Sequence, residues 1–336
     1  MSTFNRAARA IAPLGLPLGL LLAAPLPATA MDFTQIYSFG DSLVDTGNAF
    51  SLTQDLFGVG TPPPPYFNGR FTNGPIWTEY LSDDLGIPQT SFGFGGASTG
   101  EDGLLLFGGG PVAPVPGLLS QVNQFTAAAP ADPDALYVLW AGSNDYLFGG
   151  VTDPTGPLTN LTNAVSTLGS AGAKNFLLVN LPDLGNLPLL GLTGASDATI
   201  SGLNQLAAAH NQGLSAVTET LNTTGLKTDL LDINSLLRGA LAGQLGFTNT
   251  TDACTRTPSC VTNPAVQDTY VFWDEVHPTT KAHSLVAIAA RDQLTKDTTA
   301  ATPEPSIWLS LLLIGGTFTL TQNRRRNQSS TLLPRQ

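Results

Sequence analysis

The chain contains little cysteine, histidine and basic charge. Its 336 residues include two cysteines and three histidines, and 14 lysines and arginines stand against 25 aspartates and glutamates. A formal net charge of −11 is typical of a surface that repels nucleic acid and anionic membranes and favours solubility. The composition therefore argues against a nucleic-acid partner. The three histidines leave few candidates for acid–base chemistry.

The two cysteines lie close together in one polar stretch. Cys254 and Cys260 have neither a further cysteine nor a histidine near them, which disfavours a metal site. In an exported protein, such a close pair is typical of a disulfide that closes a short loop. We therefore predict a disulfide between Cys254 and Cys260 and no bound metal ion at this place.

The first 30 residues have the pattern of a secretory signal peptide. Two arginines precede an apolar run over residues 11–24, and Ala28-Thr29-Ala30 matches a small-residue cleavage site. A transmembrane anchor is the alternative, but two prolines interrupt the run and it is short for a span. The pattern predicts an exported protein whose residues 1–30 are removed.

The carboxyl end carries a second pattern that is typical of a targeting signal. Pro303-Glu304-Pro305 precedes an apolar stretch over 306–320, and a basic cluster follows at 324–326. The apolar stretch lacks polar residues at helical spacing, which disfavours an amphipathic helix packed on the domain. A basic cluster after an apolar segment indicates that the end of the chain lies in the cytoplasm. Residues 303–336 resemble the PEP-CTERM sorting signal of bacterial surface proteins. That resemblance implies transient inner-membrane anchoring, cleavage by an exosortase-type enzyme, and release to the cell surface or extracellular matrix.

Residues 31–302 are long enough for one domain with a sizeable core. Short apolar stretches predict buried strands over Phe33–Phe39, Leu136–Trp140, Asn175–Val179 and Leu226–Ile233. Helices are predicted over Pro75–Leu85, Leu158–Leu168, Ser196–Leu221 with a cap at Ser196 or Asp197, and Pro278–Leu294. Loops are predicted over Pro62–Pro65 and Gly103–Gly117. The alternation of strands and helices indicates an α/β fold with a parallel sheet.

Polar groups follow the predicted strands, and ligands gather at the carboxyl ends of parallel strands. Ser42 follows the first strand, where it can act as an exposed nucleophile or simply cap a helix; a helix that followed would also point its amides at the same place. Asn144 follows the second strand, where its amide can donate to an oxyanion or only form a turn.

Asp274 and His277 supply the acid–base pair that such a serine needs. A neutral histidine can take the serine proton, and a carboxylate three residues earlier can orient the imidazole. His210 and His283 fall inside predicted helices, where we expect a structural role for the first and partial burial for the second. His277 precedes the last helix and is the preferred base.

Four ordered blocks resemble those of the GDSL or SGNH hydrolase family, near its branch of bacterial phospholipases and lecithinase-like enzymes. The blocks are Phe39–Leu43, Phe94–Ser98, Gly142–Asp145 and Asp274–Thr279; the stretches 68–77 and 180–185 support the same family. The resemblance implies a three-layer α/β/α sandwich on a five-stranded parallel sheet, flavodoxin-like in style.

The resemblance also implies roles for individual residues. Ser42 would be the nucleophile, His277 its base and Asp274 the carboxylate that orients the base. The oxyanion hole would consist of the N–H groups of Ser42 and Gly96 and the side chain of Asn144. No metal or organic cofactor would be needed.

The function indicated is that of a secreted serine esterase or lipase that forms an acyl-enzyme on Ser42. Its ester substrate is left open among short acyl esters, lipids, phospholipids and acetylated glycans. The alternatives are a polysaccharide O-acetyl esterase, a non-catalytic surface or matrix module on the same fold, and phosphoryl transfer with a metal at Asp41 and Asp45. The apolar stretch Leu104–Phe107, with 112–119, predicts either a flap over an acyl chain or a loop packed on the core.

Overall fold

The computed structural model describes residues 33–108 and 110–300, in which strands and helices alternate. The strands are β1 (Ile36–Gly40), β2 (Gln89–Ser91), β3 (Asp102–Phe107), β4 (Gly110–Pro116), β5 (Leu136–Trp140), β6 (Asn175–Val179), β7 (Lys227–Leu231), β8 (Asn249–Ala253) and β9 (Tyr270–Phe272). The helices are α1 (Asn48–Phe57), α2 (Trp77–Leu85), α3 (Leu118–Ala128), α4 (Ser143–Leu147), α5 (Thr155–Ala171), α6 (Pro188–Leu192), α7 (Asp197–Asn222), α8 (Ile233–Leu241), α9 (Pro258–Val261), α10 (Pro264–Gln267) and α11 (Thr280–Ala300). The predicted signal peptide (1–30) and sorting tail (303–336) lie outside the described residues.

Five strands form one parallel sheet in the order β2-β1-β5-β6-β7. Side chains alternate across it, because successive residues of a strand point to opposite faces. In β5, Val138 packs in the core on one face while Tyr137 and Leu139 pack in the core on the other. The sheet is buried on both faces, and the predicted five-stranded parallel sheet is confirmed.

Helices cover both faces and complete the α/β/α sandwich. Helices α2, α8 and α11 pack on one face, where Trp77 and Ala290 are fully buried. Helices α3, α5 and α7 cover the other face, with Leu118 and Leu168 in its core. No helix in the described part of the chain combines the length and apolar character needed to cross a membrane.

Most predicted elements are present, with different ends. β5 and β6 match their predicted bounds, whereas β1 begins at Ile36. β7 ends at Leu231 because the next residue, Asp232, caps α8 by accepting the N–H of Ser235. Ser196 caps α7 as predicted, by accepting the N–H of Thr199 at 3.2 Å. Helices α1, α3 and α8 and the edge strand β2 were absent from the prediction.

The predicted loop over Gly103–Gly117 is wrong. This segment forms the antiparallel hairpin β3–β4, which stands apart from the main sheet. Its glycines and prolines suggested a loop, but a two-stranded ribbon leaves one edge of each strand free, and proline is tolerated there. Leu105 and Val115 anchor the hairpin in a small core of their own.

The disulfide joins Cys254 and Cys260, with Cα atoms 5.4 Å apart. The sequence around the pair is polar, yet both side chains are fully buried and pack with Tyr270 and Trp273. The loop that it closes therefore belongs to a second, small core next to β9.

Two of the three histidines are buried inside helices. His210 on α7 is 0% exposed, and its Nδ1 lies 2.8 Å from the hydroxyl of Tyr146. His283 on α11 is 1% exposed, so the expected partial burial was wrong. Burial lowers the pKa of His210 to about 4, and burial together with the charge of His277 lowers the pKa of His283 to about 3. Both imidazoles are therefore neutral in the folded protein near neutral pH.

We expect the substitution His210→Gln to make the free energy of unfolding less sensitive to acid. The unfolded imidazole takes a proton near pH 6.5, but the folded one only near pH 4, so this histidine costs stability as the pH falls through that window. Between pH 7 and pH 5, the wild type should lose about 2 kcal/mol more than the variant.

Urea unfolding of both proteins at the two pH values measures this quantity. Comparing the proteins cancels the opposing contributions of Asp41 and Asp45, whose pKa values burial raises. Equal losses of stability in wild type and variant would contradict the expectation.

Candidate active site

Ser42 lies in the turn that follows β1, at the carboxyl edge of the sheet. Gly40 ends β1 with φ of 138°, and a Cβ atom there would lie 1.8 Å from the carbonyl oxygen of Trp140 in β5. Only glycine allows the two strands to approach so closely in this conformation. The tight approach determines where the turn leaves the sheet and so where Ser42 lies.

The next helix does not point its first amides at Ser42. Helix α1 begins at Asn48, and its first N–H groups donate to the carboxylate of Asp45 instead. The same carboxylate accepts the N–H of Gly95 at 2.8 Å. Asp45 therefore ties the Ser42 turn to the loop that carries Gly96.

Asp41 and Asp45 do not form the carboxylate pair that phosphoryl transfer would require. Each oxygen of Asp45 accepts two backbone N–H groups. Burial raises the pKa of Asp45 to about 6, although these N–H groups lower it, and burial raises the pKa of Asp41 to about 7. Within residues 33–108 and 110–300, no group of three or more His, Cys, Asp or Glu side chains is arranged to hold a metal ion.

The structure brings Ser42, His277 and Asp274 together in one chain of hydrogen bonds. The Ser42 oxygen lies 2.8 Å from His277 Nε2, and His277 Nδ1 lies 2.7 Å from Asp274 Oδ2. Because an ionised carboxylate can only accept, the proton belongs on Nδ1, and Nε2 is free to accept from the serine hydroxyl. His277 is therefore in the tautomer that a base for Ser42 needs.

Asp274 is held ionised although it is buried. Burial by itself would raise its pKa, but the charge of His277 and the hydrogen bonds from His277 and Val276 outweigh burial and keep the pKa of Asp274 below its usual value. The hydroxyl of Tyr66 donates to Asp274 Oδ2 at 2.8 Å. Asp274 is thus a fixed negative group behind the imidazole.

Sequence reasoning missed Tyr66. The residue follows the proline stretch Pro62–Pro65 and lies 208 positions before Asp274, so no spacing rule connects the two. The ring of Tyr66 also packs edge-on against Trp273 and Phe107. The only sequence signal was an aromatic residue directly after a rigid stretch of chain.

Three residues with available hydrogen-bond donors line the pocket at Ser42. Ser42, Gly96 and Asn144 line one small pocket together with His277. In the part of the chain that the structure describes, the N–H groups of Ser42 and Gly96 have no acceptor. Gly96 has φ of 85°, and a Cβ there would lie 2.3 Å from the carbonyl oxygen of Leu104, so glycine is required.

Asn144 is oriented by the loop that carries Gly96. Its Nδ2 donates one hydrogen to the carbonyl oxygen of Ala97 at 2.9 Å, which leaves its second hydrogen for another acceptor. The neighbouring Asp145 accepts both the N–H and the hydroxyl of Thr99. These contacts join α4 to the second block.

The two supporting stretches of sequence hold the site from outside. Thr72 donates its hydroxyl to the carbonyl of Pro278 at 2.8 Å, and Asn73 accepts the N–H of Thr280 at 2.8 Å, so this stretch clamps the chain directly after His277. On the other side, Asp183 forms two hydrogen bonds with Arg238 at 2.7 and 2.9 Å.

The hairpin β3–β4 packs in a small core, as one of the two predicted alternatives has it, and it also lines the site. Leu105 is buried in the hairpin core, whereas Leu104 is 48% exposed and lines the small pocket at Ser42. Phe107 and the exposed Phe148 and Leu192 line a groove that begins at His277. The walls of the site are therefore largely apolar.

Comparisons with known proteins show the family of the chain. The model of the GDSL-like lipase/acylhydrolase family matches residues 36–290. A phosphatidylcholine-sterol acyltransferase from Aeromonas hydrophila is 32% identical over 66% of this chain and 65% of that protein. A thermolabile hemolysin from Vibrio parahaemolyticus is 29% identical over 75% of this chain and 62% of its own length.

The chain thus spans somewhat less than two thirds of these two relatives. Among solved structures, a lipolytic G-D-S-L protein from Veillonella parvula aligns with a TM-score of 0.47 and 19% identity, over 78% of this chain and 98% of that one. The family match covers every residue of the serine, histidine and oxyanion groups described above. The chain belongs to the GDSL-like lipase/acylhydrolase family of ester hydrolases.

Proposed function

We propose that the protein hydrolyses carboxylic esters through an acyl-enzyme on Ser42. The observation that carries the proposal is the 2.8 Å contact between the Ser42 oxygen and His277 Nε2, with the opposite ring nitrogen held by Asp274. A nucleophile, a base and an orienting carboxylate in this order are what acyl transfer by serine requires.

The reaction takes place in two acyl-transfer steps. His277 takes the Ser42 proton as the serine oxygen bonds to the ester carbonyl carbon, and the resulting imidazolium then protonates the alcohol as the carbon–oxygen bond breaks. In the second step, water gives a proton to His277 and attacks the acyl-enzyme. The acid is released when Ser42 regains its proton.

Negative charge develops on the carbonyl oxygen in both steps. The N–H groups of Ser42 and Gly96 are without other acceptors in the described chain, and Asn144 has an amide hydrogen to spare. Donors that are held in place before the reaction stabilise this charge without reorganisation. The same feature favours a catalytic role over a non-catalytic binding module on this fold.

For substrate and location, the proposal extends to ester-linked acyl groups outside the cytoplasm. The Aeromonas relative is named for transfer between phosphatidylcholine and sterol, which supports lipid esters, while short acyl esters and acetylated glycans share the same chemistry. The patterns at 1–30 and 303–336 support export, transient membrane anchoring and processing by an exosortase-type enzyme.

We expect Ser42→Ala to abolish ester hydrolysis and labelling by a fluorophosphonate probe, because both need the serine oxygen. Mass spectrometry of the labelled wild type should find the probe on Ser42. The control is Ser120→Ala, which removes a half-buried serine of α3 that lines neither pocket at Ser42 and should retain labelling and turnover. Modification of another serine, or an active Ser42→Ala protein, would contradict the assignment.

We expect Asn144→Ala to lower kcat for an aryl ester by roughly 100- to 1000-fold with little change in KM, because its free amide hydrogen bonds charge that exists only in the transition state. Asn160→Ala is the matched control. Asn160 donates to Thr99 in the same region without lining the Ser42 pocket, so its removal should change kcat by less than about threefold. Equal effects of the two substitutions would assign Asn144 a structural role.

We expect a chain that stops at Thr302 to keep the ester turnover of the full-length enzyme, because every residue proposed to act lies before that point. In the native host, mass spectrometry should find surface-located protein that ends near Pro303-Glu304-Pro305. Extracellular protein that still carries Gln336, or a truncated chain that does not fold, would show that the tail belongs to the domain.

A further inference from the structure

An apolar cavity lies behind the Ser42 pocket, between helices α8 and α11. It has a volume of about 60 Å³, and all 16 residues that line it are hydrophobic. Ala240 and Ala282 contribute small side chains from the two helices, and the half-buried Leu237 and Leu285 lie beside them. The side chains of the described fold thus leave an apolar cavity unfilled next to the polar residues of the site.

The cavity shares lining side chains with a second pocket at Ser42. This pocket is lined by Asn144, His277 and Leu184 but not by Gly96, and it has a volume of about 40 Å³. Leu43, Pro182, Leu187 and Val276 line both spaces. Leu43 follows the nucleophile and Val276 precedes the base in the chain. The shared side chains therefore lie next to the place where the ester carbonyl would bind.

The two sides of the site differ in polarity. The open groove on the His277 side is largely apolar, but its lining also includes Tyr66 and the ion pair between Arg256 and Glu275, whose nearest atoms are 3.2 Å apart. The described residues that line the cavity include no polar residue. His277 must protonate the leaving oxygen, so the alcohol part of an ester belongs on that side. The acyl part is then directed away from the groove, towards the apolar space.

We propose that the cavity between α8 and α11 receives the acyl chain of the substrate, and that it suits short chains such as butyryl. This proposal rests on the proposed ester hydrolysis at Ser42. Its volume is less than half of the ~150 Å³ that holds benzene in an engineered cavity, so it takes a few methylene groups and not a long chain. Each buried methylene favours binding about fourfold.

Two substitutions test the cavity in opposite directions. Ala282→Leu fills it, and we expect the ratio of kcat/KM for p-nitrophenyl butyrate to that for p-nitrophenyl acetate to fall about tenfold, since the two extra methylenes lose their site. Leu237→Ala widens it, and the ratio for the hexanoate over the butyrate should rise about fivefold. The control Ala289→Leu adds the same volume to α11 at a residue that does not line the cavity, and should leave both ratios within about twofold.

The outcomes separate this proposal from the proposed function. A wild type without turnover of any of the three esters would overturn ester hydrolysis and the cavity proposal with it. If the wild type hydrolyses them but neither cavity variant changes the kcat/KM ratios between esters, the cavity proposal alone would be overturned. The same holds if the ratios change instead in Phe107→Ala, which alters the open groove. If circular dichroism shows that Ala282→Leu is unfolded, the half-buried Leu237→Ala decides the question.

Discussion

The close approach of β1 and β5 at Gly40 is the constraint on which the site depends. Gly40 has no room for a side chain, and the buried Gln121 accepts its N–H at 2.8 Å and donates to its carbonyl at 2.9 Å. A glutamine side chain thereby satisfies the backbone where the sheet ladder stops. The chain can leave the sheet at this point and present Ser42 above it, with both polar backbone groups of Gly40 paired.

Buried carboxylates then connect the loops at this edge. Asp45 binds Gly95, and Asp145 binds Thr99, so the Ser42 turn and α4 are both attached to the second block. Burial raises the pKa values of both carboxyls, which shows that these contacts are made against a desolvation cost. The acidic residues of the motifs thus organise the backbone, while only Asp274 acts on the histidine.

The sequence predicted the catalytic residues better than it predicted the elements and cavities that surround them. Ser42, Asn144, Asp274 and His277 belong to short blocks in which chemistry and spacing agree. The structure places three of them around one pocket and Asp274 behind the His277 ring. The hairpin β3–β4 was missed because its prolines and glycines are common to loops and to isolated ribbons. The contact of Tyr66 with Asp274 arises only from tertiary structure. The cavity between α8 and α11 has no sequence signature, since its leucines and alanines read as ordinary core.

The loop that carries the base needs its own support, because the main sheet does not provide it. Strand β9, which leads to Asp274, pairs with β8 in a separate two-stranded sheet. Such a pair is only marginally stable by itself. The disulfide loop compensates from one side, where Thr255 donates its N–H to the carbonyl of Trp273 at 2.9 Å. Thr72 holds the chain just beyond His277 from the other side. No sequence pattern connects the two cysteines with the catalytic residues. The disulfide nevertheless stabilises the segment that sets the distance from His277 to Ser42.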